Sequence, residues 1–375
     1  MKTAVITGPT GSIGRSLIDL CISRGYEVLA IVHRTSPRAE ELKKIVHCQV
    51  LYLDMDEYES GMDALSRQSQ SFSPELRNLI FRSSSNNTFC DSESEACSCN
   101  TQSTEQGSSG DSCLFFHLAW MAPFGPDRNN LELQLKNVQY SLSAVSLAKK
   151  LGCSCFIGAG SQAEYGRVSV PLIPDTPAFP ETGYGIAKLC AGQMTRLACE
   201  QAGFKHVWCR ILSVFGPHDN PKSIISTALN DMLNDRETSF TPCDQMWDFM
   251  YSDDAARALL AAAEYAITTD TCGIQSPVET NTAGAASTLT VNNTVNSFTY
   301  VIGSGTARPL KGYIKTIADI TGYTRDIGFG KRPYNDKQVM FLQADPASLS
   351  AIGFRPSISF EEGIRRMINN ITHSS

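Results

Sequence analysis

No run of about 18 apolar residues occurs in the 375-residue chain, so a helix that crosses a membrane is not expected. Dense runs of lysine and arginine are missing too, and the formal net charge is −6, which leaves no electrostatic footprint for nucleic acid or an anionic membrane surface. Histidine is scarce, at six residues. None stands beside Cys90, Cys97 and Cys99, which sit in a serine-rich stretch, so no metal site is expected there. Cys21, Cys190 and Cys199 fall in helix-like patterns and read as buried thiols. The first apolar run opens almost at Met1 and leaves no room for a secretory leader, which makes a cytoplasmic protein the expectation.

What the chain does have is a glycine-rich turn near its start, Thr7-Gly8-Pro9-Thr10-Gly11-Ser12-Ile13-Gly14, placed between an apolar strand and an amphipathic helix from Ser12 to Arg24. Glycines here permit a tight turn and let backbone N–H groups approach a pyrophosphate. A helix N-terminus adds unpaired donors and partial positive charge. Gly8, Thr10, Gly11, Ser12, Ile13 and Gly14 are therefore candidate cofactor ligands.

A second buried strand is expected over Glu27 to His33. Where an NAD site usually carries an acidic residue, the chain has His33-Arg34, and Arg34 favours the 2′-phosphate of NADP over NAD, with NAD the alternative. A third strand, Gln49 to Leu53, runs into Asp54-Met55, where the adenine edge of a dinucleotide is expected. Residues 66–112 are rich in Ser, Asn, Gln and Thr and read as a disordered insertion. The pattern resumes with a strand from Cys113 to Trp120, in which His117 reads as a packing residue, and a helix from Leu131 to Leu151. A strand from Cys153 to Ile157 leads into Gly158-Ala159-Gly160-Ser161-Gln162-Ala163-Glu164-Tyr165-Gly166. Further on, Tyr184 and Lys188 share one face of a helix, and a cation near a phenol lowers its pKa toward a range useful for proton transfer.

In their order these markers resemble the extended short-chain dehydrogenase/reductase superfamily, the NAD(P)-dependent epimerases, dehydratases and reductases. The resemblance rests on the glycine turn, Asp54-Met55, His117-Leu118-Ala119, Ser161 ahead of Tyr165-Gly166, and Tyr184-x-x-x-Lys188. It continues through Arg210, Val214-Phe215-Gly216-Pro217, Trp247-Asp248-Phe249 and Gly353-Phe354-Arg355-Pro356. It implies an α/β fold, a Rossmann-type doubly wound parallel sheet with a smaller C-terminal substrate lobe. It also implies that Ser161, Tyr184 and Lys188 are catalytic, that Leu118, Ala119, Leu212, Tyr184 and Lys188 contact the cofactor, and that Asn137 supports the site from behind. Two departures stand out. Gln162 and Ala163 replace the acidic pair of sugar dehydratases, with Glu164 one place late, which disfavours water elimination. Trp247 replaces an arginine that contacts nucleotide phosphate in many relatives, leaving Lys222, Arg308 and Arg332 as candidates for that charge.

The expected organisation is a cofactor domain over 1–217 and a substrate lobe over 218–375. Segments 251–266 and 298–303 return to the first domain, and 268–297 is a second, flexible insertion. The resemblance implies an NADP-preferring enzyme acting at C4 of a nucleotide-activated hexose, with reduction of a 4-keto sugar slightly ahead of epimerisation. Its expected partners are a small-molecule nucleotide sugar and, in a homodimer, a second copy of the chain. The competing readings are an NADP-binding redox regulator without turnover and a reductase of small carbonyl compounds that lack a nucleotide.

Overall fold

The structure, a computed structural model, describes residues 2–74, 76–77, 112–269 and 296–374. Seven parallel strands form one sheet in the order β3-β2-β1-β4-β5-β6-β9. They are β1 (Lys2–Thr7), β2 (Tyr26–Val32), β3 (Cys48–Tyr52), β4 (Ser112–His117), β5 (Cys155–Ser161), β6 (Lys205–Ile211) and β9 (Ser297–Ile302). Strands such as β1 and β2 are buried along almost their whole length, as a sheet covered on both faces requires. This is the doubly wound, Rossmann-type architecture, and its strand order reverses between β1 and β4.

One face is covered by α1 (Ser12–Ser23) and by the Ser252–Thr268 helix. Leu17, Ile18 and Cys21 of α1 share a core with Ala255, Leu259, Ala262 and Ala263, and the alanines let the two helices approach closely. The other face carries the helices Gly61–Gln68, Leu131–Lys150 and Gly183–Ala202. Here Phe72 and Leu76 are buried with Leu65, Leu147 and Phe156. The stretch expected to open the first insertion at 66 thus begins inside the fold. The apolar side chains at 72 and 76 are what hold it there; the rest of that expected insertion, and of 268–297, lies outside the described residues. All nine described cysteines are free thiols, and all but Cys190 are buried.

A three-stranded sheet forms the second lobe, with β8 (Met246–Tyr251) between β7 (Ser213–Phe215) and β10 (Ala307–Pro309). Phe215, Phe249, Tyr313 and Phe360 pack as an aromatic cluster, with Tyr313 and Phe360 rings 4.6 Å apart. Two buried carboxylates hold loops in place, one on β8 and one on the Ser252–Thr268 helix. Asp248 accepts N–H groups of Ser304, Gly305 and Ala344. Asp254 accepts those of Ser357 and Ile358, each at 2.8 Å. Asp254, in the first turn of the Ser252–Thr268 helix, thus anchors the C-terminal segment.

Trp208 on β6 lies flat between the sheet and the Gly183–Ala202 helix, and glycines make its room. An added Cβ would stand 2.3 Å from Trp208 at Gly158, 2.4 Å at Gly160 and 2.7 Å at Gly192. The ring cannot retreat without breaking the bond from its Nε1 to Glu164 at 3.0 Å. Gly158→Ala is therefore expected to cost about 1–3 kcal/mol of stability through overpacking. Urea denaturation of the variant checks this, and an unchanged midpoint would remove Trp208 as the reason for the glycine.

Candidate active site

A cleft of about 980 Å³ runs from the glycine turn, past the C-terminal ends of β4 and β5, to Trp247 and Lys337 in the second lobe. It opens where the strand order reverses, the position at which open α/β sheets bind ligands.

The glycine turn is shaped by close backbone approach. Gly8 has φ +68°, and a Cβ there would lie 2.9 Å from Leu118 C and Ala119 N. The Thr7 hydroxyl just before it accepts the N–H groups of both Leu118 and Ala119 at 3.2 Å, so β1 and β4 end in register. Thr7 also meets His117 Nδ1 at 3.0 Å, and His117 Nε2 meets Ser141 Oγ at 3.2 Å. Since Ser141 donates to the Asn137 carbonyl, it accepts from Nε2–H, and Nδ1 accepts from Thr7. Burial pushes the His117 pKa down to about 3, so the ring stays neutral within this chain of bonds. Asn137 in turn exchanges two hydrogen bonds with the backbone of Met121, at 2.8 and 3.0 Å, bracing the loop behind the cleft.

The three glycines differ in what they face. A Cβ on Gly14 would lie 2.3 Å from the Gly8 carbonyl, whereas on Gly11 it would meet only Gly8 O at 3.6 Å. Gly11 lines the cleft, as do Gly8, Ser12, Ile13 and Gly14; Thr10 does not. No side chain caps α1, no acidic residue stands in its first turn, and the buried Ser12 hydroxyl has no partner among the described residues. Free N–H donors, a free hydroxyl and an open glycine face fit the phosphates of a dinucleotide.

Arg34 is not the free cation the sequence suggested. Its Nη2 is held by both oxygens of Glu57, at 2.5 and 2.6 Å, and its backbone N–H donates to Asp54 at 2.9 Å. Asp54 also begins the turn Met55–Glu57, and Met55 packs against the core. Two carboxylates at this corner repel a 2′-phosphate while consuming the arginine, and this removes the basis for preferring NADP. The chain distance from Arg34 to Glu57 hid the pairing.

Along the same cleft, the N-terminus of the Gly183–Ala202 helix sets Tyr184 and Lys188 on one face, with Thr182 capping the helix. Lys188 Nζ donates to the Ala159 carbonyl at 2.6 Å and sits 3.6 Å above the Trp120 ring. Burial lowers its pKa to about 7, opposed by the charge of Glu164. Tyr184 is pushed above the ordinary phenol range by burial, opposed by a hydrogen bond with Ser161 and by the charge of Arg128. Ser161 ends β5, and beneath it Glu164 is fully buried, accepting from Ser161 N at 2.7 Å, Trp208 Nε1 at 3.0 Å and Arg210 Nε at 2.8 Å. Glu164 is thus turned away from the cleft and spent on the site's foundation. Leu212 lines the cleft, and Trp247 donates to Ser213 at 2.8 Å.

None of Lys222, Arg308 and Arg332 lines the cleft. Arg308 packs over Tyr313 and pairs with Glu361. The cations that do line it include Arg38, Arg128 and Lys337. Arg128 and Trp120, in the segment after β4, were missed as site residues because only a turn signal, Gly125-Pro126-Asp127, marks that stretch. Among the described residues no His, Cys, Asp or Glu cluster could hold a metal ion, and no helix is long and apolar enough to cross a membrane.

Fold and cleft together define a Rossmann-type enzyme with a Tyr/Lys pair at the end of a dinucleotide groove. A family model described as the NAD dependent epimerase/dehydratase family matches residues 4–72 and 82–271. The chain belongs to that family, within the extended short-chain dehydrogenase/reductase superfamily. It is 24% identical over 243 residues to a Methanocaldococcus jannaschii protein named "Putative UDP-glucose 4-epimerase", covering 62% of this chain and 68% of that one. It is 23% identical over 167 residues to a CDP-abequose synthase of Salmonella typhimurium, covering 43% of this chain and 47% of that one. Among solved structures, the UDP-glucose 4-epimerase of Thermotoga maritima with UDP-glucose shares the fold with a TM-score of 0.71 at 20% identity, over 99% of both chains. A UDP-N-acetylglucosamine 4-epimerase from Methanobrevibacter ruminantium superposes with a TM-score of 0.72 at 19% identity, over 100% of this chain and 99% of that one.

Two outcomes follow from this geometry. Gly11→Ala is expected to leave stability within about 1 kcal/mol of the parent while weakening dinucleotide binding about tenfold or more. Gly14→Ala, forced against the Gly8 carbonyl, is expected to lose about 1–3 kcal/mol of stability. Thermal melts paired with NAD titration separate the two. The second outcome concerns Lys188 in nucleotide-free protein. Its folded pKa of about 7 lies below the ordinary 10.5, so between those values the unfolded chain holds a proton that the folded chain has released. Stability from this group therefore rises with pH across that window, and its penalty is full below about pH 7. Lys188→Met should stabilise the protein more at about pH 6.5 than at about pH 9.5, as read by urea denaturation; an equal gain at both would contradict the buried-charge account.

Proposed function

We propose that this enzyme uses NAD to oxidise and re-reduce C4 of a nucleotide-linked hexose, acting as a 4-epimerase. The observation that carries the reading is that Tyr184, Lys188 and Ser161 line the same cleft as the glycine turn. NAD is favoured over NADP because Arg34 is paired with Glu57, and because neighbours of the same fold include a Thermus thermophilus UDP-glucose 4-epimerase in complex with NAD. Epimerisation now stands ahead of 4-keto reduction, since several neighbours of this fold are 4-epimerases of UDP-linked sugars.

Each residue has a task in this reading. Gly8, Gly11, Ser12, Ile13 and Gly14 cradle the dinucleotide phosphates, with Leu118, Ala119 and Leu212 along its path. When bound, the nicotinamide accepts and returns hydride. Tyr184 takes the proton of the C4 hydroxyl and gives it back, and Lys188 supplies the positive charge that stabilises the phenolate. Ser161 hydrogen-bonds the reacting oxygen. Glu164, sealed beneath Ser161 by Arg210 and Trp208, is not placed to remove a proton from the sugar, which argues against water elimination.

Tyr184→Phe is expected to lower interconversion of UDP-glucose and UDP-galactose by about 100-fold or more with NAD binding retained. A coupled assay for the product sugar, run beside nicotinamide absorbance, checks it. Undiminished interconversion would end the catalytic reading of Tyr184. Net consumption of reduced cofactor with a 4-keto sugar nucleotide would point to a reductase instead.

A further inference from the structure

Arg128 is a cation of the cleft that no motif predicted, as are Arg167 and Lys337. It lies in the turn Pro126–Asn129, which follows Gly125 at φ +78°. Its guanidinium carbon is 4.5 Å from the centroid of the Tyr184 ring, while Lys188 Nζ stands 5.8 Å from the same centroid. The turn that carries it is fixed: Asn129 Oδ1 accepts from Gly183 N at 2.9 Å, and Gln134 Nε2 donates to the Asp127 carbonyl at 3.2 Å. Trp120, edge-on to Tyr184, is itself held by a bond to Gln134 at 2.9 Å.

Other arginines at this cleft are occupied. Arg167 is clamped by Glu181 at 2.7 and 2.8 Å, and Arg38 donates to the His218 carbonyl at 3.1 Å. Arg128 has no carboxylate partner among the described residues, and its Nε is buried without any hydrogen-bond acceptor. A buried donor left unpaired is costly, and a planar guanidinium is shaped to grip two oxygens at once. The nearby acids do not supply those oxygens, because Glu164 is committed to Arg210 and Glu181 to Arg167.

We infer that Arg128 is a specificity-determining residue that binds a paired-oxygen anion of the substrate beside Tyr184. This rests on the proposed nucleotide-sugar reading and names the chemistry its substrate half-site selects. Two groups carry such an anion: a carboxylate on the sugar ring and the diphosphate that links sugar to nucleoside. With Trp247 bonded to Ser213, and with Lys222, Arg308 and Arg332 off the cleft, Arg128 stands where a missing phosphate or carboxylate partner is needed. Its place over the Tyr184 ring distinguishes this anion from the cofactor phosphates assigned to the glycine turn.

The test is calorimetric titration of the NAD-loaded protein and of NAD-loaded Arg128→Gln and Arg128→Lys, using UDP-glucose, UDP-glucuronic acid, UDP and inorganic diphosphate. Arg128→Gln is expected to weaken the anion it recognises by about tenfold or more, with NAD affinity and melting temperature unchanged, and Arg128→Lys to restore part of the loss. A loss confined to UDP-glucuronic acid identifies the sugar carboxylate. A loss shared by all four probes identifies the diphosphate. If no nucleotide sugar binds the parent protein but inorganic diphosphate does so through Arg128, this assignment stands and the nucleotide-sugar reading falls. Equal affinities of parent and Arg128→Gln for every probe, or no binding of any probe to the parent, would overturn the assignment.

Discussion

The ion pair between Glu164 and Arg210 is the contact on which the reacting end of this molecule depends. Both side chains are buried, and a lone charge at that depth would be costly: breaking such a pair typically destabilises a protein by about 3–5 kcal/mol. The pair is satisfied on every side. Glu164 also accepts from Ser161 N and Trp208 Nε1, and Arg210 donates to the Pro174 carbonyl at 2.8 Å. The network therefore fixes the end of β5, where Ser161 sits, against the indole that supports the Tyr184 helix. Preorganisation of Ser161 and Tyr184 is a property of this foundation more than of the two residues themselves.

The opposite end of the cleft obeys a backbone constraint. β1 and β4 are neighbours although about a hundred residues separate them, and Thr7 binds the two amides that follow β4. That clamp leaves space only for glycine at position 8 and leaves the first turn of α1 uncapped toward the cleft. The open glycine face and the sheet topology are thus two results of one arrangement. Beside it the two helices of that sheet face are joined, since Ser16 of α1 donates to Asp253 of the Ser252–Thr268 helix at 2.7 Å, and Asp254 of that helix holds Ser357 and Ile358.

Much of this was legible in the chain. The strands read over Glu27 to His33 and over Gln49 to Leu53 are each displaced by a single residue. Their apolar periodicity and turn residues are local signals, and local signals survive without knowledge of the fold. Strands β6, β8 and β10 were not read as strands, because short mixed runs such as Met246–Tyr251 carry polar residues whose partners come from distant loops. Asp248 is an example: its burial makes sense only beside Ser304, Gly305 and Ala344. The start of the first insertion was placed early for a related reason, since Phe72 and Leu76 stand in a stretch dominated by polar residues until the core receives them.

By itself the sequence determined the Rossmann class, the glycine turn and the pairing of Tyr184 with Lys188, because each is encoded by spacing within one strand, turn or helix. Tertiary structure alone decided which charges are free. Arg34 looked available and is consumed by Glu57, twenty-three residues away; Glu164 looked like a displaced base and is a buried support. Arg128, which no motif marked, lies over the Tyr184 ring. Charge is long-ranged and is neutralised by whichever partner the fold brings near, so the state of an ionised side chain is not written in its neighbours along the chain.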